Sequence, residues 1–400
     1  MKYFARQQMA ADIANALAGK SFTSDAPNGL FLAAPRRTGK STFLQRDLKP
    51  ELETQGAVVV YVDLWSDKSR DPGDLISSAI GNTLKEHLGL VSKFVNKSGL
   101  ANINIGGVLK IDTDKIGEID GMTLAEALAA LKSTSGKPVA LIIDEAQQAL
   151  TSDAGESAMT ALKSARDQMN STGINLMIVM SGSDRDKLMR LVNSNKAPFY
   201  GSNITSFRPL DQGFVDFVAA QVEADNESLK PVDRATLMNA FKAFGYRPQF
   251  FNNAIGAALN PMSRAPGVSF EGSVLNAATE HVLAEESQME SDFLGLSPIE
   301  QVVMWRLLEQ ESKFRAYDAA ALEFYQDKLG AKVTPAQAQN ALDTLRSRSP
   351  SLVWKSLRSE YATEDASMHT WFEKRVNAGT WPPGGAIKPA KSPTRRRKPQ

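Results

Sequence analysis

Thr38-Gly39-Lys40-Ser41 follow a short apolar run and open a helical stretch. A glycine, a lysine and a hydroxyl in that order suit the binding of phosphate. In such a loop consecutive backbone N–H groups point at the anion, and the next helix adds the positive end of its dipole. Gly39 can take backbone angles that a side chain forbids. Lys40 is spaced to reach the β- and γ-phosphates of a nucleotide, and Ser41 to offer its hydroxyl to Mg²⁺. The surrounding "FLAAPRRTGKSTFL" (31–44) departs from the pattern G-x-x-x-x-G-K-[ST] in one place, because its first position is Ala34. Pro35 beside it favours an extended-to-turn geometry and donates no N–H. At negative φ the extra methyl is tolerable; at positive φ it costs roughly 1 kcal/mol. The candidate nucleotide contacts are Pro35, Arg36, Arg37, Thr38, Gly39, Lys40, Ser41 and Thr42. Whether Arg36 and Arg37 touch phosphate or only solvate the loop stays open.

A second stretch, "VALIIDEAQ", ends an apolar strand in Asp144 and Glu145. Neighbours on a strand point to opposite sides, but where the strand ends the backbone turns and both can reach one cleft. Asp144 would hold Mg²⁺ through water, and Glu145 would polarise an attacking water as general base. A solvated strand end is the alternative for two carboxylates alone. The phosphate loop earlier in the chain favours the chemical reading.

The elements that must position these residues are legible in outline. Residues 2–18 read as a helix, 30–34 as a buried strand, and a helix runs from about Gly39 to Pro50. "AVVVYVDLW" (57–65), "PVALIID" (138–144) and "INLMIVMSG" (174–182) are further buried strands, separated by helical stretches at 74–90, 123–134 and 154–170. Alternation of this kind predicts a three-layer α/β domain with a parallel sheet. "LANINIGGVLKIDTD" (100–114) reads as an inserted hairpin around Gly106-Gly107. After Pro209 the strand signal fades into successive helices. From Ser297, three helices precede "SLVWKSLRSEYAT" and "ASMHTWFEKR", read as a hairpin; that is the order of a winged helix. The expected division is an N-terminal helix (1–20), an α/β core (21–210), a helical lid (211–292), a winged-helix domain (293–382) and a basic tail (383–400).

Composition narrows the chemistry. The 400 residues carry a formal net charge of +1, so the molecule as a whole is no polycation. Cysteine is absent, which removes disulfides and thiolate chemistry and fits a reducing cytoplasm. His87, His281 and His369 are scattered and predict no histidine metal site. No apolar run is long enough to span a bilayer, so no membrane partner is expected. The N-terminus reads as an amphipathic helix, not a signal peptide. The final "KPAKSPTRRRKPQ" has Lys388, Lys391, Arg395, Arg396, Arg397 and Lys398 with no acid. It reads as a disordered tail, either merely solvated or in contact with a polyanion.

"APRRTGKSTFL", "LIIDEAQ", "IVMSGSDRDKLMRL" and "APFYGSNITSFRPL" occur in that order. Together they resemble the AAA+ and STAND-type ATPases of archaea and bacteria, relatives of the archaeal replication initiators, over roughly residues 5–260. The phosphate loop of that group commonly reads G-P-R-R-x-G-K-T/S, so Pro-Arg-Arg matches and only Ala34 departs. The resemblance implies a P-loop NTPase three-layer sheet of AAA+ type, a helical lid, a C-terminal winged helix and Mg²⁺-dependent ATP hydrolysis. It implies that Ser181, or alternatively Ser183, is the polar sensor of the γ-phosphate or attacking water. It implies that Arg247 is the lid residue touching phosphate, against the reading of a surface arginine before a proline. Arg185 or Arg190 could act in trans in a nucleotide-dependent homo-oligomer. The arginine that relatives carry in P-L-Y-G-R is replaced here by Ser202.

In a winged helix the third helix enters the major groove. Here that helix would run from Thr334, its N-cap, to Arg348, with Pro335 at the first helical position. Gln337, Gln339, Asn340, Arg346 and Arg348 are its candidate base and phosphate contacts, with Lys355 and Arg358 on the wing. Glu323, Asp327, Asp343, Glu360, Glu364 and Asp365 keep the domain from being strongly basic, and winged helices also serve as protein-binding modules. The expected function is an ATP-driven switch coupled to double-stranded DNA. The alternative is a nucleotide-gated scaffold for a protein partner with slow or no turnover, for which Ala34 and Ser202 speak. A nucleoside kinase fits less well, because Asp144-Glu145 followed by Ala146-Gln147 suits water activation better than acceptor binding.

Overall fold

The computed structural model describes residues 2–21, 24–95, 111–112, 118–119, 123–193, 197–260, 262, 267–357 and 359–387. The chain divides into two compact units, Met1–Asn276 and Ala277–Gln400.

The first unit is built on strands β1 (Leu30–Ala33), β2 (Val58–Asp63), β3 (Ile111–Asp112), β4 (Glu118–Ile119), β5 (Val139–Asp144), β6 (Leu176–Gly182) and β7 (Ile204–Ser206). Five of them form one sheet in the order β2-β5-β6-β1-β7, and every pairing in it is parallel. β5 and β6 are buried along their whole length, as expected of central strands covered on both faces. β3 and β4 pair antiparallel; the rest of the expected hairpin at 100–114 lies outside the described residues. β7, short and half exposed, has no apolar signature and was not expected.

Helices α1 (Gln7–Leu17), α2 (Lys40–Phe43), α3 (Lys49–Thr54), α4 (Pro72–Val95), α5 (Leu124–Ser135), α6 (Asp153–Met169) and α7 (Arg185–Met189) surround the sheet. A π-helical turn, Leu44–Leu48, joins α2 to α3 without a break, so the helical run passes Pro50 instead of ending there. Pro50 sits in the first turn of α3, where a missing N–H is tolerated. One face of α1 (Ala10, Ala14, Leu17) belongs to the same buried cluster as Phe43, Leu44, Leu48 and Leu52, which backs the phosphate loop. α5 starts on a full capping box, Thr123 with Glu126, and ends on left-handed Gly136. Helices α8 (Gln212–Asp225), α9 (Arg234–Ala243) and α10 (Pro248–Leu259) complete this unit, and α11 (Phe270–Leu294) runs across its boundary. Phe214, Phe241 and Phe251 pack ring to ring at the centre of α8–α10, with centroids 5.1–6.0 Å apart.

The second unit holds α12 (Pro298–Gln310), α13 (Ala319–Leu329), α14 (Pro335–Ser347), strands β8 (Val353–Lys355) and β9 (Tyr361–Thr363), and α15 (Ser367–Asn377). β8 and β9 pair antiparallel. The order helix-helix-helix-hairpin was anticipated, but the second strand of the hairpin was misplaced. It is Tyr361–Thr363, and the segment read as that strand is the helix α15. Met368, Trp371 and Phe372 point into the core at helical spacing.

Candidate phosphate site

All five parallel strands point their carboxyl ends at one edge, and the connections that leave the adjacent strands β1 and β6 run in opposite directions across the sheet, to β2 and to β7. A crevice opens at such a point. β1 runs into the phosphate loop, β5 ends in Asp144, and β6 carries Ser181 next to its end. Strand order alone therefore brings three distant segments together.

The loop is formed without help from its first residue. Ala34 is buried, donates its N–H to Gly182 O at 3.1 Å, and is absent from the residues of positive φ. Its methyl is therefore unstrained. The left-handed positions are Arg37 (φ 65°) and Gly39 (φ 90°), and Thr38 Oγ1 ties the loop back to Pro35 O at 2.7 Å. Ala34→Gly should leave nucleotide affinity unchanged within about twofold. It should lower stability by about 0.5–1 kcal/mol, because glycine adds backbone freedom where none is needed. Nucleotide titration and denaturant unfolding check both.

Lys40 is 5% exposed. Its Nζ makes a close ion pair with Asp144 Oδ1 and donates to Ser181 Oγ at 3.0 Å and to Glu145 Oε1 at 3.5 Å. Ser181 Oγ also donates to Asp144 Oδ1. Tyr61, on β2, donates to Asp144 Oδ2 at 3.2 Å. Burial pushes the Asp144 carboxyl up, but the Lys40 ammonium and hydrogen bonds from Lys40, Ser181 and Ser41 outweigh it and hold the group below the usual carboxylate range. A depressed carboxylate adds stability above its unfolded pKa and loses it as pH falls through the folded value. Stability should therefore drop as pH is lowered below about 5, and Asp144→Asn should flatten that drop in acid titrations of unfolding.

Glu145 sits at φ 54°, a left-handed turn that lifts its side chain out of the strand's alternation. Its Oε2 accepts from Gln147 Nε2 at 2.6 Å, Ser183 Oγ at 2.8 Å and Ser183 N at 3.3 Å. Arg36 Nε reaches Ser183 Oγ at 3.4 Å, and its guanidinium lies 3.9 Å over the Trp65 ring. Arg37 lies 5.0 Å over the Phe250 ring, and Arg247 4.8 Å over the same ring. Arg247 caps α10 and donates to Phe244 O at 2.7 Å. Phe250 thus links the phosphate loop to the start of α10, where Pro248 stands 3.9 Å from the Cβ position of Gly39. Thr42 is exposed on α2.

Tyr61, Asp63, Trp65 and Phe250 were not singled out from the sequence, and Gln147 entered only through the Ala-Gln that follows Asp144-Glu145, with no role of its own. Asp63 pairs in register with Asp144 across β2 and β5. Burial raises its pKa, and the nearby Asp144 and Glu145 charges add to that against the Trp65 N–H and Lys40. Only sheet register could have revealed this. Gln147 had a local signal, lying two residues past Glu145, but the turn that folds it back is tertiary.

Among the described residues no group of three or more His, Cys, Asp or Glu forms a metal cage. The donors present fit Mg²⁺ differently, as one hydroxyl (Ser41) and one carboxylate (Asp144) beside a phosphate cradle. Of the expected nucleic-acid contacts, Arg346 pairs with Asp343 at 3.4 Å and Arg348 with buried Glu300 at 3.1 Å. Lys355 lies 5.5 Å from the Tyr361 ring centroid. Arg358 and the basic residues 388–400 lie outside the described residues. Arg185 reaches Ile204 O and Ser206 Oγ of β7 at 3.4 and 3.3 Å.

Numbered along the chain, the five strands of the main sheet lie in the order 5-1-4-3-2, with the phosphate loop after the first. A parallel sheet in that order, with the phosphate loop after its first strand, is the P-loop NTPase fold. No family model matches the chain, and no curated protein matches it. Solved structures similar to it include the Walker-type ATPase of Pyrococcus abyssi, at 16% identity over 90% of this chain and 95% of that one, TM-score 0.46. The Aeropyrum pernix ORC2 protein in its ADP form is 14% identical over 94% and 93%, TM-score 0.49. Cdc6p of Pyrobaculum aerophilum is 13% identical over 95% and 96%, TM-score 0.36. Ser181 stands next to the end of β6, the fourth strand in sheet numbering, and α10 meets the phosphate loop through Pro248 and Phe250. No helix among the described residues is long and apolar enough to cross a membrane.

Proposed function

We propose that the protein is a Mg²⁺-dependent ATPase whose nucleotide state governs a DNA-binding winged helix. The observation that carries this is the convergence of Lys40, Asp144, Glu145 and Ser181, all buried, at the mouth of the phosphate loop. With ATP bound, Lys40 exchanges Asp144 for the phosphate oxygens. Ser41 and Asp144 would hold Mg²⁺, which would supply neutralisation of the phosphate charge. Glu145 accepts a proton from water as the water oxygen bonds to the γ-phosphorus and the bond to ADP breaks. Ser181 orients that water or the γ-phosphate. Arg247, at the head of α10, follows the nucleotide from the lid side through Phe250 and Arg37. Cytoplasmic location and nucleotide-dependent self-association belong to the same proposal.

For DNA binding, α14 has the capped, exposed form of a recognition helix, with a capping box of Thr334 and Gln337. A specific observation favours the second reading, a nucleotide-gated protein-binding scaffold. Gln339 is engaged by Tyr317 and Asp343, and both Arg346 and Arg348 are in ion pairs, so three of the five candidate side chains on this helix already have partners within the unit. ATP turnover by purified protein, with and without duplex DNA and across salt concentration, separates the two. Turnover that rises with DNA, with an affinity that falls steeply with salt, supports the switch. ATP bound without turnover or DNA response supports the scaffold.

A further inference from the structure

Gln147 lies in the 3₁₀ turn Ala146–Thr151 that follows β5, and it is 1% exposed. One end of its amide is used: Nε2 donates to Glu145 Oε2 at 2.6 Å. The other end is not, since Oε1 is buried with no hydrogen-bond partner among the described residues. The seat is tight as well, because a Cβ on Gly182 would stand 2.6 Å from that oxygen. A buried acceptor left unmet opposes folding, and an apolar side chain of similar size would avoid the penalty. Packing therefore gives no reason for an amide here. What the amide does is hold one oxygen of Glu145.

Glu145 needs holding. It stands past the end of its strand in a left-handed conformation, on a long side chain with freedom at every bond. Gln147 and Ser183 saturate Oε2, which leaves Oε1 as the oxygen turned toward Lys40, 3.5 Å away, on the phosphate side. We infer that Gln147 is a positioning residue that fixes Glu145 through Oε2, so that Oε1 faces the γ-phosphate and takes the proton of the attacking water. This rests on the ATPase reading above.

The test uses the full-length chain as wild type, Gln147→Leu, Gln147→Met, Glu145→Gln and the double variant Gln147→Leu/Glu145→Gln. ATP turnover, ADP affinity and melting temperature are measured for each. The expected result is a kcat lowered about 10-fold or more by either Gln147 substitution, with KM and ADP affinity within about twofold and a melting temperature at or above wild type. The double variant should be no slower than Glu145→Gln alone, because Gln147 acts only through that carboxylate. Gln147→Met, unbranched like glutamine, carries the test if Gln147→Leu does not fold. Unchanged kcat in a folded Gln147 variant, or a further loss in the double variant, overturns the inference while wild-type turnover leaves the ATPase reading standing. A wild type without turnover overturns both.

Discussion

Lys40→Ala is expected to weaken ATP binding by about 100-fold or more and to abolish turnover. Removing one partner of a buried, hydrogen-bonded charge pair costs about 2–5 kcal/mol in binding, and here that charge would face the phosphates. The same change strips Asp144 and Glu145 of the buried cation that now pairs with both. Two carboxylates without a counter-charge must be protonated or hydrated, so the variant should also unfold more readily, by about 3–5 kcal/mol if the cleft cannot admit water. The holding of Asp144 below its usual range would disappear with Lys40, so its share of the stability lost in acid should flatten, and the variant's deficit should be largest near neutral pH, where both carboxylates are charged. Titration with a fluorescent nucleotide and unfolding at two pH values measure all three effects. Wild-type affinity in a folded Lys40→Ala protein would remove the phosphate loop from the site.

Glu145→Gln should do the opposite to the two halves of the cycle. ATP binding should persist within a few-fold, because the Glu145 carboxylate is held by Gln147 and Ser183 and reaches the loop only at the tip of Lys40, 3.5 Å away. Turnover should fall by about 10²–10⁴, the usual contribution of a positioned general base. A glutamine keeps the length and can still accept from Ser183 and Gln147, yet it cannot take a proton from water. The variant should therefore accumulate with ATP bound. If nucleotide state governs DNA binding, it should show the ATP-state DNA affinity without decay. Quenched-flow turnover and filter binding give the two numbers. Retained turnover would move the base elsewhere, with Asp63 the nearest carboxylate in register to examine.

Several features of the site were legible in one dimension because their causes are local. Gly39 needs a left-handed angle, the runs 139–143 and 176–180 are apolar because both faces are covered, and Thr123 and Thr334 cap helices through residues three positions on. The helical spacing of Met368, Trp371 and Phe372 was equally local, and it was misread as a strand because the wing was expected to end there. Ala34 shows the limit of a motif. A pattern records which residue usually stands at a position, whereas strain depends on φ, and the strain falls on Arg37.

Asp63 beside Asp144, Tyr61 on the same carboxylate, Gln147 on Glu145 and Arg348 on Glu300 follow from no spacing in the chain. They depend on strand order, register and the packing of helices. Those are settled by which buried surfaces fit together across long sequence separations, and a short-range pattern carries no record of them. Local chemistry thus marked out the phosphate loop, the carboxylate pair and the alternation of strands and helices. The sheet order 5-1-4-3-2 then determined which side chains share the cleft, because parallel strands joined by helices can be placed in many orders that the same local signals would satisfy equally well.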